Sequence, residues 1–250
     1  MTYKILVPVS GGKDSQTCLK MAVEKVGADK VLGLFCDTQF EHPKTYKHVE
    51  KMAAMYGVKI ETVCGGSVVE ETLRFKRFPG GGARHCTDKL KIRETKIFCK
   101  ALAEKQGGFE VWYGMRRSES HERAVRYENK IDEELYHPHE IMPSKYPKYL
   151  GKMGVRFKLP ILSWSDQEVF DYIKGEENPL YSEGFGRVGC FPCLAGGDGW
   201  KVLAFEHDDF GREQYIKVKQ IEEEIGKSVF TSGVGAKWEN AGPGCLICSI

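Results

Sequence analysis

The 250-residue sequence has no apolar run approaching the 18 or more residues of a membrane span, so a helical membrane protein is not expected. Its opening, MTYKILVPVSGG, passes from a short apolar stretch straight into glycine without the small-residue cleavage site of a secretory leader, and the expected compartment is the cytoplasm. An excess of one charge sign is also missing. The 37 Lys and Arg against 35 Asp and Glu leave +2, with no polybasic or acidic tail, so bulk charge names no partner. There is no internal repeat and no low-complexity tract, and 41% hydrophobic residues with 29% charged place the chain far from disorder. A chain of this length buries roughly 70–75% of its extended surface and needs no covalent staples.

What is present in quantity is cysteine, nine in all. An odd number without a secretory leader argues against a disulfide framework, and clustered thiols in a reducing compartment mean metal or redox chemistry. Cys18, Cys36, Cys64 and Cys99 sit inside apolar patterns and read as small core residues. Cys190-x-x-Cys193 and Cys245-x-x-Cys248 have the spacing that presents two thiolates to one metal. All four around Zn²⁺ would clamp the tail to the body; three or more thiolates suit iron–sulfur equally well.

Strand and helix alternate through the first half. The patterns predict strands at Tyr3–Val9, Val31–Cys36, Lys59–Val63 and Phe109–Tyr113, with helices at Ser15–Val26, Pro43–Tyr56, Val68–Phe78 and Ile92–Gln106. Such alternation implies a doubly wound, mostly parallel α/β sheet with helices on both faces. Residues 126–158 read as an ordered loop or lid. A strand-like run at Phe157–Leu162 follows, then a capping box at Ser165-Asp-Gln-Glu168 and helices at Gly199–Glu206 and Phe210–Ile225. The expected division is a nucleotide-binding body over 1–162 and a helical, Cys-bearing region over 163–250.

Ser10-Gly11-Gly12-Lys13-Asp14-Ser15 lies between the first strand and the first helix. Two glycines allow a tight turn and close approach of an anion to first-turn amides, while the Ser hydroxyls and the Lys13 ammonium reach phosphate oxygens and Asp14 can hold Mg²⁺. A capped strand-to-helix turn would need only part of this pattern. It is neither a GxxxxGK nor a GxGxxG loop. Asp37 and Thr38 follow the second strand, where Asp37 can take a ribose hydroxyl or Mg²⁺, or cap the next helix. Arg116, Glu119 and Arg123 follow the fourth strand and read either as an anion fork braced by Glu119 or as a solvated helix start.

The hexapeptide resembles the pyrophosphate loop of the ATP pyrophosphatase superfamily. Resemblance to its phosphoadenosine phosphosulfate (PAPS) reductase-like branch continues in Asp37-Thr-Gln-Phe-Glu41-His42-Pro43-Lys-Thr-Tyr46, Cys86-Thr-Asp-Lys89-Leu-Lys91-Ile92, Gly114-Met-Arg116 to Arg123, and Asn178-Pro-Leu-Tyr181 before Gly189-Cys190-Phe-Pro-Cys193. The blocks occur in the family's order from Ser10 to Cys193. The resemblance implies a Rossmann-like, HUP-type fold binding an adenine nucleotide: ATP, or PAPS or adenosine phosphosulfate as substrate. It implies that Ser10 to Ser15, Asp37, Thr38, Arg116, Glu119 and Arg123 bind it, with Lys13, Asp14, Lys91 and Arg116 acting in the reaction.

The resemblance further implies that Cys86 joins Cys190 and Cys193 around a [4Fe–4S] cluster. Where the family's iron–sulfur reductases have adjacent cysteines this chain has His85-Cys86, and where they carry a lone reactive Cys it has Cys245 and Cys248; either supplies a fourth ligand or the working thiol, or the site stays open with three ligands. Three functions follow: ATP cleavage to AMP and pyrophosphate for sulfur transfer, reduction of a sulfonucleotide to sulfite, or nucleotide binding without catalysis beside a structural zinc. The complete SGGKDS loop favours the first. Implied partners are a thioredoxin-like or cysteine-desulfurase donor; a homo-oligomer is compatible. Lys145, Lys148, Lys152, Arg156 and Lys158 suit a nucleic-acid acceptor or a solvated lid.

Overall fold

Apolar residues run without interruption along β1 (Ile5–Val9) and along β2 (Val31–Asp37) as far as Cys36, as they must in strands covered on both faces. The computed structural model describes residues 2–80 and 83–231. It joins these strands with β3 (Lys59–Cys64), β4 (Glu110–Trp112) and β5 (Arg156–Lys158) in one sheet of order β3-β2-β1-β4-β5. The β1–β2, β1–β4 and β4–β5 pairs are parallel, with Ile5 opposite Val31 on one side and Glu110 on the other. Sequence order thus reverses between β1 and β4. Sheets of this kind commonly bind ligands at the carboxyl ends of the strands flanking such a reversal.

The helices of the first half are α1 (Lys13–Val26), α2 (Pro43–Tyr56), α3 (Val68–Phe75) and α4 (Arg93–Gln106). Because side chains alternate across a strand, Ile5, Val7 and Val9 pack with Leu19 of α1 and Met52 of α2, while Leu6 and Val111 face Cys99 and Ala103 of α4. One turn of π-helix, Thr87–Ile92, precedes α4. Then come α5 (His121–Arg126), α6 (Pro138–Ile141), α7 (Lys148–Lys152), α8 (Asp166–Tyr172), α9 (Asp198–His207) and α10 (Asp209–Ile225). Ser165 caps α8 through the expected box with Glu168.

Three local expectations shift. The segment 126–158 is ordered but is no solvated lid: Tyr136, Ile141, Tyr146 and Leu150 enter the α4-side core, and Tyr136 bridges Phe157 through paired backbone bonds. Helix α3 ends at Phe75, where Lys76 turns left-handed at φ 49°. Cys18, Cys36 and Cys99 are buried as expected, and burial pushes the Cys18 and Cys99 thiols up; Cys64 is exposed, at the end of β3.

Contacts resolve two units, each assembled from several segments, whereas the expected division fell at one point after residue 162. Among the described residues, one comprises 2–36, 43–63 and 91–188, the other 37–42, 64–80, 83–90 and 189–231. The second has its own core, in which Phe40, Val68 and Leu90 pack with Leu194 and Val202 and with Phe205 of α9. There the buried Lys201 ammonium binds Asp198 at 3.0 Å and the Val229 carbonyl at 2.7 Å, while Asp198 also accepts the Thr231 amide. No helix among the described residues is long and apolar enough to cross a membrane.

Within the first unit α1 and α2 are joined by a buried polar clamp. His48 Nε2 donates to Gln16 Oε1 at 2.8 Å, and Gln16 Nε2 donates to Tyr56 Oη at 3.0 Å and to the Glu176 carbonyl at 2.8 Å. Burial, aided by the Lys51 charge, pulls His48 down to about 4 from its usual 6.5. The unfolded chain therefore binds a proton between these values that the folded chain refuses. This contribution is fully present above pH of about 6.5 and declines toward pH of about 4. The urea midpoint is expected to fall on acidification across that window, with a shallower fall in His48→Gln, whose side chain stays neutral.

Candidate active site

Gly11 and Gly12 turn the chain from β1 into α1. Gly11 has φ +73°, and a methyl group there would lie 2.6 Å from Thr45 Cγ2, so conformation and space both demand glycine. Within the loop the Ser10 amide donates to Ser15 Oγ at 3.1 Å, and Ser15 Oγ donates to the Gly12 carbonyl at 3.0 Å. The outer wall is the Asn178–Tyr181 segment. Asn178 Nδ2 donates to the Gly11 carbonyl at 3.1 Å, and the Lys13 amide donates to Tyr181 Oη at 2.8 Å. Burial, with the nearby Asp14 charge, holds the Tyr181 phenol well above its ordinary range, so it remains protonated.

The loop after β4 closes the opposite side. A methyl on Gly114 would meet the Asp14 carbonyl at 2.6 Å, so the two loops touch backbone to backbone. That approach brings Arg116 over the first turn of α1. Its guanidinium, 2% exposed, donates through Nε to Asp14 Oδ1 at 2.5 Å and through Nη2 to Asp166 Oδ1 at 2.5 Å. Lys13, 6% exposed, places Nζ 3.1 Å from the same Asp166 oxygen and 3.5 Å from Asp14 Oδ2, over the Phe170 and Tyr181 rings.

Two cations and two carboxylates therefore balance. Partial burial of Asp166 opposes its ionisation, yet Lys13 and Arg116 hold the carboxyl below the usual carboxylate range. Its side chain is 69% exposed, in contrast to the cations it binds. Among these carboxylates Asp166 is the one an incoming anion can replace, because a phosphate group offers the same charge and more acceptor oxygens. Glu119 accepts the Arg116 amide at 3.1 Å and pairs with Arg123. Lys91 is half-buried in the π turn, where its carbonyl accepts the Cys36 thiol.

In the second unit Asp37 Oδ1 accepts the Gln39 amide at 2.8 Å, capping its own loop. Thr38 is fully buried and donates to Glu41 Oε1 at 2.7 Å; Glu41 Oε2 accepts the amides of Thr38 and Phe40. Cys190 Sγ lies 3.4 Å from Thr38 Oγ1 and 3.7 Å from Glu41 Oε1. Cys86 and Cys190 both pack against the core of this unit, and Cys86, Cys190 and Cys193 are half-buried and not in disulfides. The three sulfurs do not all lie within 4.8 Å of one another. His85 stacks on Phe75 at 4.6 Å, and burial lowers its pKa. Cys245 and Cys248 lie outside the described residues.

A model of the phosphoadenosine phosphosulfate reductase domain matches residues 4–195. The chain belongs to this family. An uncharacterized protein of Methanocaldococcus jannaschii is 30% identical over 76% of this chain and 36% of its own length, and an adenosine 5'-phosphosulfate reductase of Streptomyces coelicolor is 27% identical over 64% and 60%. The chain spans 36%, 66% and 42% of the lengths of three curated relatives it matches. A U34-tRNA thiolase of Methanococcus maripaludis, solved with its [4Fe–4S] cluster, superposes with a TM-score of 0.48 at 15% identity over 99% of this chain and 80% of that one; this likeness carries no functional argument.

Of the expected residues, the first unit brings Lys13 and Asp14 of the Ser10–Ser15 loop together with Arg116, and Glu119 with Arg123. Sequence reasoning missed Asp166, which it read only as the interior of a capping box, and it assigned no contact to Asn178 or Tyr181. It also missed Glu41, whose carboxylate organises the Thr38–Cys190 contact. Of the proposed basic spread, the Arg156 guanidinium is bound to the Gly151 and Val155 carbonyls, and Lys158 lies over the Trp112 ring.

Two outcomes are expected. Asp166→Ala should tighten pyrophosphate binding about 2–5-fold by calorimetry, since a partly exposed ion pair is worth about 0.5–1 kcal/mol; weaker binding would make Asp166 a ligand-holding group instead. Gly114→Ala should lower stability by about 1–3 kcal/mol through overpacking against Asp14, read as a drop in Tm.

Proposed function

We propose that this chain binds ATP on the Ser10–Ser15 loop and cleaves it to AMP and pyrophosphate, activating an acceptor for sulfur transfer. The carrying observation is the convergence of the buried Lys13 and Arg116 cations on Asp14 and the exposed Asp166, beside a glycine turn at a helix N-terminus. A triphosphate tail supplies charge to replace Asp166 at both cations. An acceptor oxygen attacks the α phosphorus, the bond to the α–β bridging oxygen breaks, and pyrophosphate leaves with the electron pair. Lys13 and Arg116 stabilise the charge that develops on it, and Lys91 is a further cation for the leaving group. A sulfide-level sulfur nucleophile then attacks the activated carbon, the carbon–oxygen bond to AMP breaks as the carbon–sulfur bond forms, and AMP leaves with the electron pair.

Asp14, one-fifth exposed in the first turn of α1, fits as a holder of Mg²⁺, since a carboxylate and phosphate oxygens are hard ligands; the ion would supply further charge neutralisation. Cys86, Cys190 and Cys193, half-buried thiols outside any disulfide, fit a [4Fe–4S] cluster by the chemistry of their donor atoms. The cluster would supply a soft site for sulfur. Cys245 or Cys248 is proposed as fourth ligand or working thiol, and the sulfur source as a cysteine-desulfurase type of donor.

A second reading is favoured by relatives that are adenosine 5'-phosphosulfate reductases, at 27% and 26% identity. Here a thiolate of Cys245 or Cys248 attacks the sulfonucleotide sulfur to form an S-sulfocysteine, and a second thiol, or a thioredoxin-like donor, resolves it and releases sulfite.

Anaerobically purified protein is expected to bind Mg²⁺–ATP and to yield AMP and pyrophosphate, with Asp14→Asn lowering turnover about 10²–10³-fold. Sulfite from PAPS or adenosine phosphosulfate with a dithiol, without ATP cleavage, selects the reductase instead. Iron and acid-labile sulfide should copurify and fall in Cys190→Ser; their absence from anaerobic preparations would remove the cluster from this account.

A further inference from the structure

Among the described residues, one group of His, Cys, Asp or Glu side chains brings three ligand atoms within 4.8 Å of one another: His42, His207 and Asp208. All three belong to the second unit. His42 Nε2 lies 2.9 Å and His207 Nε2 3.8 Å from the same carboxylate oxygen, Asp208 Oδ2. Two ligand atoms about 2.0–2.1 Å from a tetrahedral centre stand about 3.4 Å apart, and the observed separations bracket that value. We propose that these residues form a binding site for a borderline first-row divalent cation of the Zn²⁺ type, distinct from any held by the cysteines.

The surroundings are those of a built site. Asp208 caps α10 and its other oxygen, Oδ1, accepts the Gly211 amide at 2.9 Å, which aims Oδ2 at the imidazoles. His42 is 3% exposed, and its ring makes edge contacts with Phe191 at 4.7 Å and Phe210 at 5.1 Å. This apolar wall orients the imidazole and lowers the local dielectric, which strengthens binding of a cation once it is paired. Asp208 retains 34% and His207 16% of their side-chain exposure, so an ion has a way in.

A hydrogen bond to a capping aspartate accounts for His42, while His207, the chain neighbour of Asp208, sets a third donor atom 3.8 Å from the same oxygen. Two imidazoles and a carboxylate select neither Ca²⁺ nor Mg²⁺, which take oxygen ligands, nor the thiophilic ions, and three protein ligands leave a position open. Phe191 follows Cys190, and His42 follows the Glu41 that contacts Cys190. A cation here therefore braces the loop that positions that cysteine.

The test needs no nucleotide. The full chain, stripped by chelator and kept reduced, is titrated with Co²⁺ and then Zn²⁺, followed by calorimetry and visible absorption. Beside any Co²⁺ taken by the cysteines with thiolate charge transfer, one equivalent should bind with the d–d bands of a nitrogen and oxygen environment, and Zn²⁺ should displace it. His207→Ala and Asp208→Asn should each weaken binding about 10–100-fold, while Cys190→Ser/Cys193→Ser leaves it unchanged. Asn caps helices as well as Asp, so loss in Asp208→Asn reports coordination and not unfolding. The proposal is overturned if wild-type protein shows no such nitrogen and oxygen spectrum, or if binding is equally tight in both variants.

Discussion

The burial of the Arg116 guanidinium governs the candidate site. A charge taken out of water is tolerable only when opposed and hydrogen-bonded, and leaving one unpaired costs several kcal/mol. Asp14 and Asp166 meet that requirement, and their positions follow from it. Asp14 must stand in the first turn of α1, Arg116 must follow β4 directly, and Gly114 must lack a side chain so that the loops can close. Lys13 adds a second cation to the same oxygen of Asp166. The result is a neutral assembly with one exposed member, Asp166.

The second unit obeys a parallel rule with different chemistry. Glu41, 3% exposed, is satisfied by the Thr38 and Phe40 amides and the Thr38 hydroxyl, and it turns the loop 37–42 so that Cys190 lies against Thr38. A thiol beside a hydroxyl and a buried carboxylate occupies a polar niche inside an otherwise apolar cluster. The same loop ends at His42, so one short segment serves both the cysteine and the imidazole–carboxylate group.

Much of this was legible in one dimension. Uninterrupted apolar runs in β1 and β2 announced buried parallel strands, the Ser165 box marked the start of α8, and the string Ser10 to Ser15 marked the glycine turn from β1 into α1, because each is a short-range rule acting within a turn or a pleat. Glu119 bracing Arg123 was readable for the same reason, being a pair four residues apart. The segment 126–158 misled: its prolines and charges suggested a solvated loop, but Tyr136 and Tyr146 turn inward to cover β5.

Local pattern thus sufficed for the elements, the parallel sheet and the glycine loop between β1 and α1, since those depend on neighbours within a few residues. Folding alone decided that Asp166 would answer Lys13 and Arg116, that Tyr181 would accept the Lys13 amide, and that His42 would meet Asp208. Partners 50 to 168 residues apart along the chain are joined by strand order and by the close packing of glycine turns, and no periodicity or spacing encodes a distance that only the assembled sheet creates.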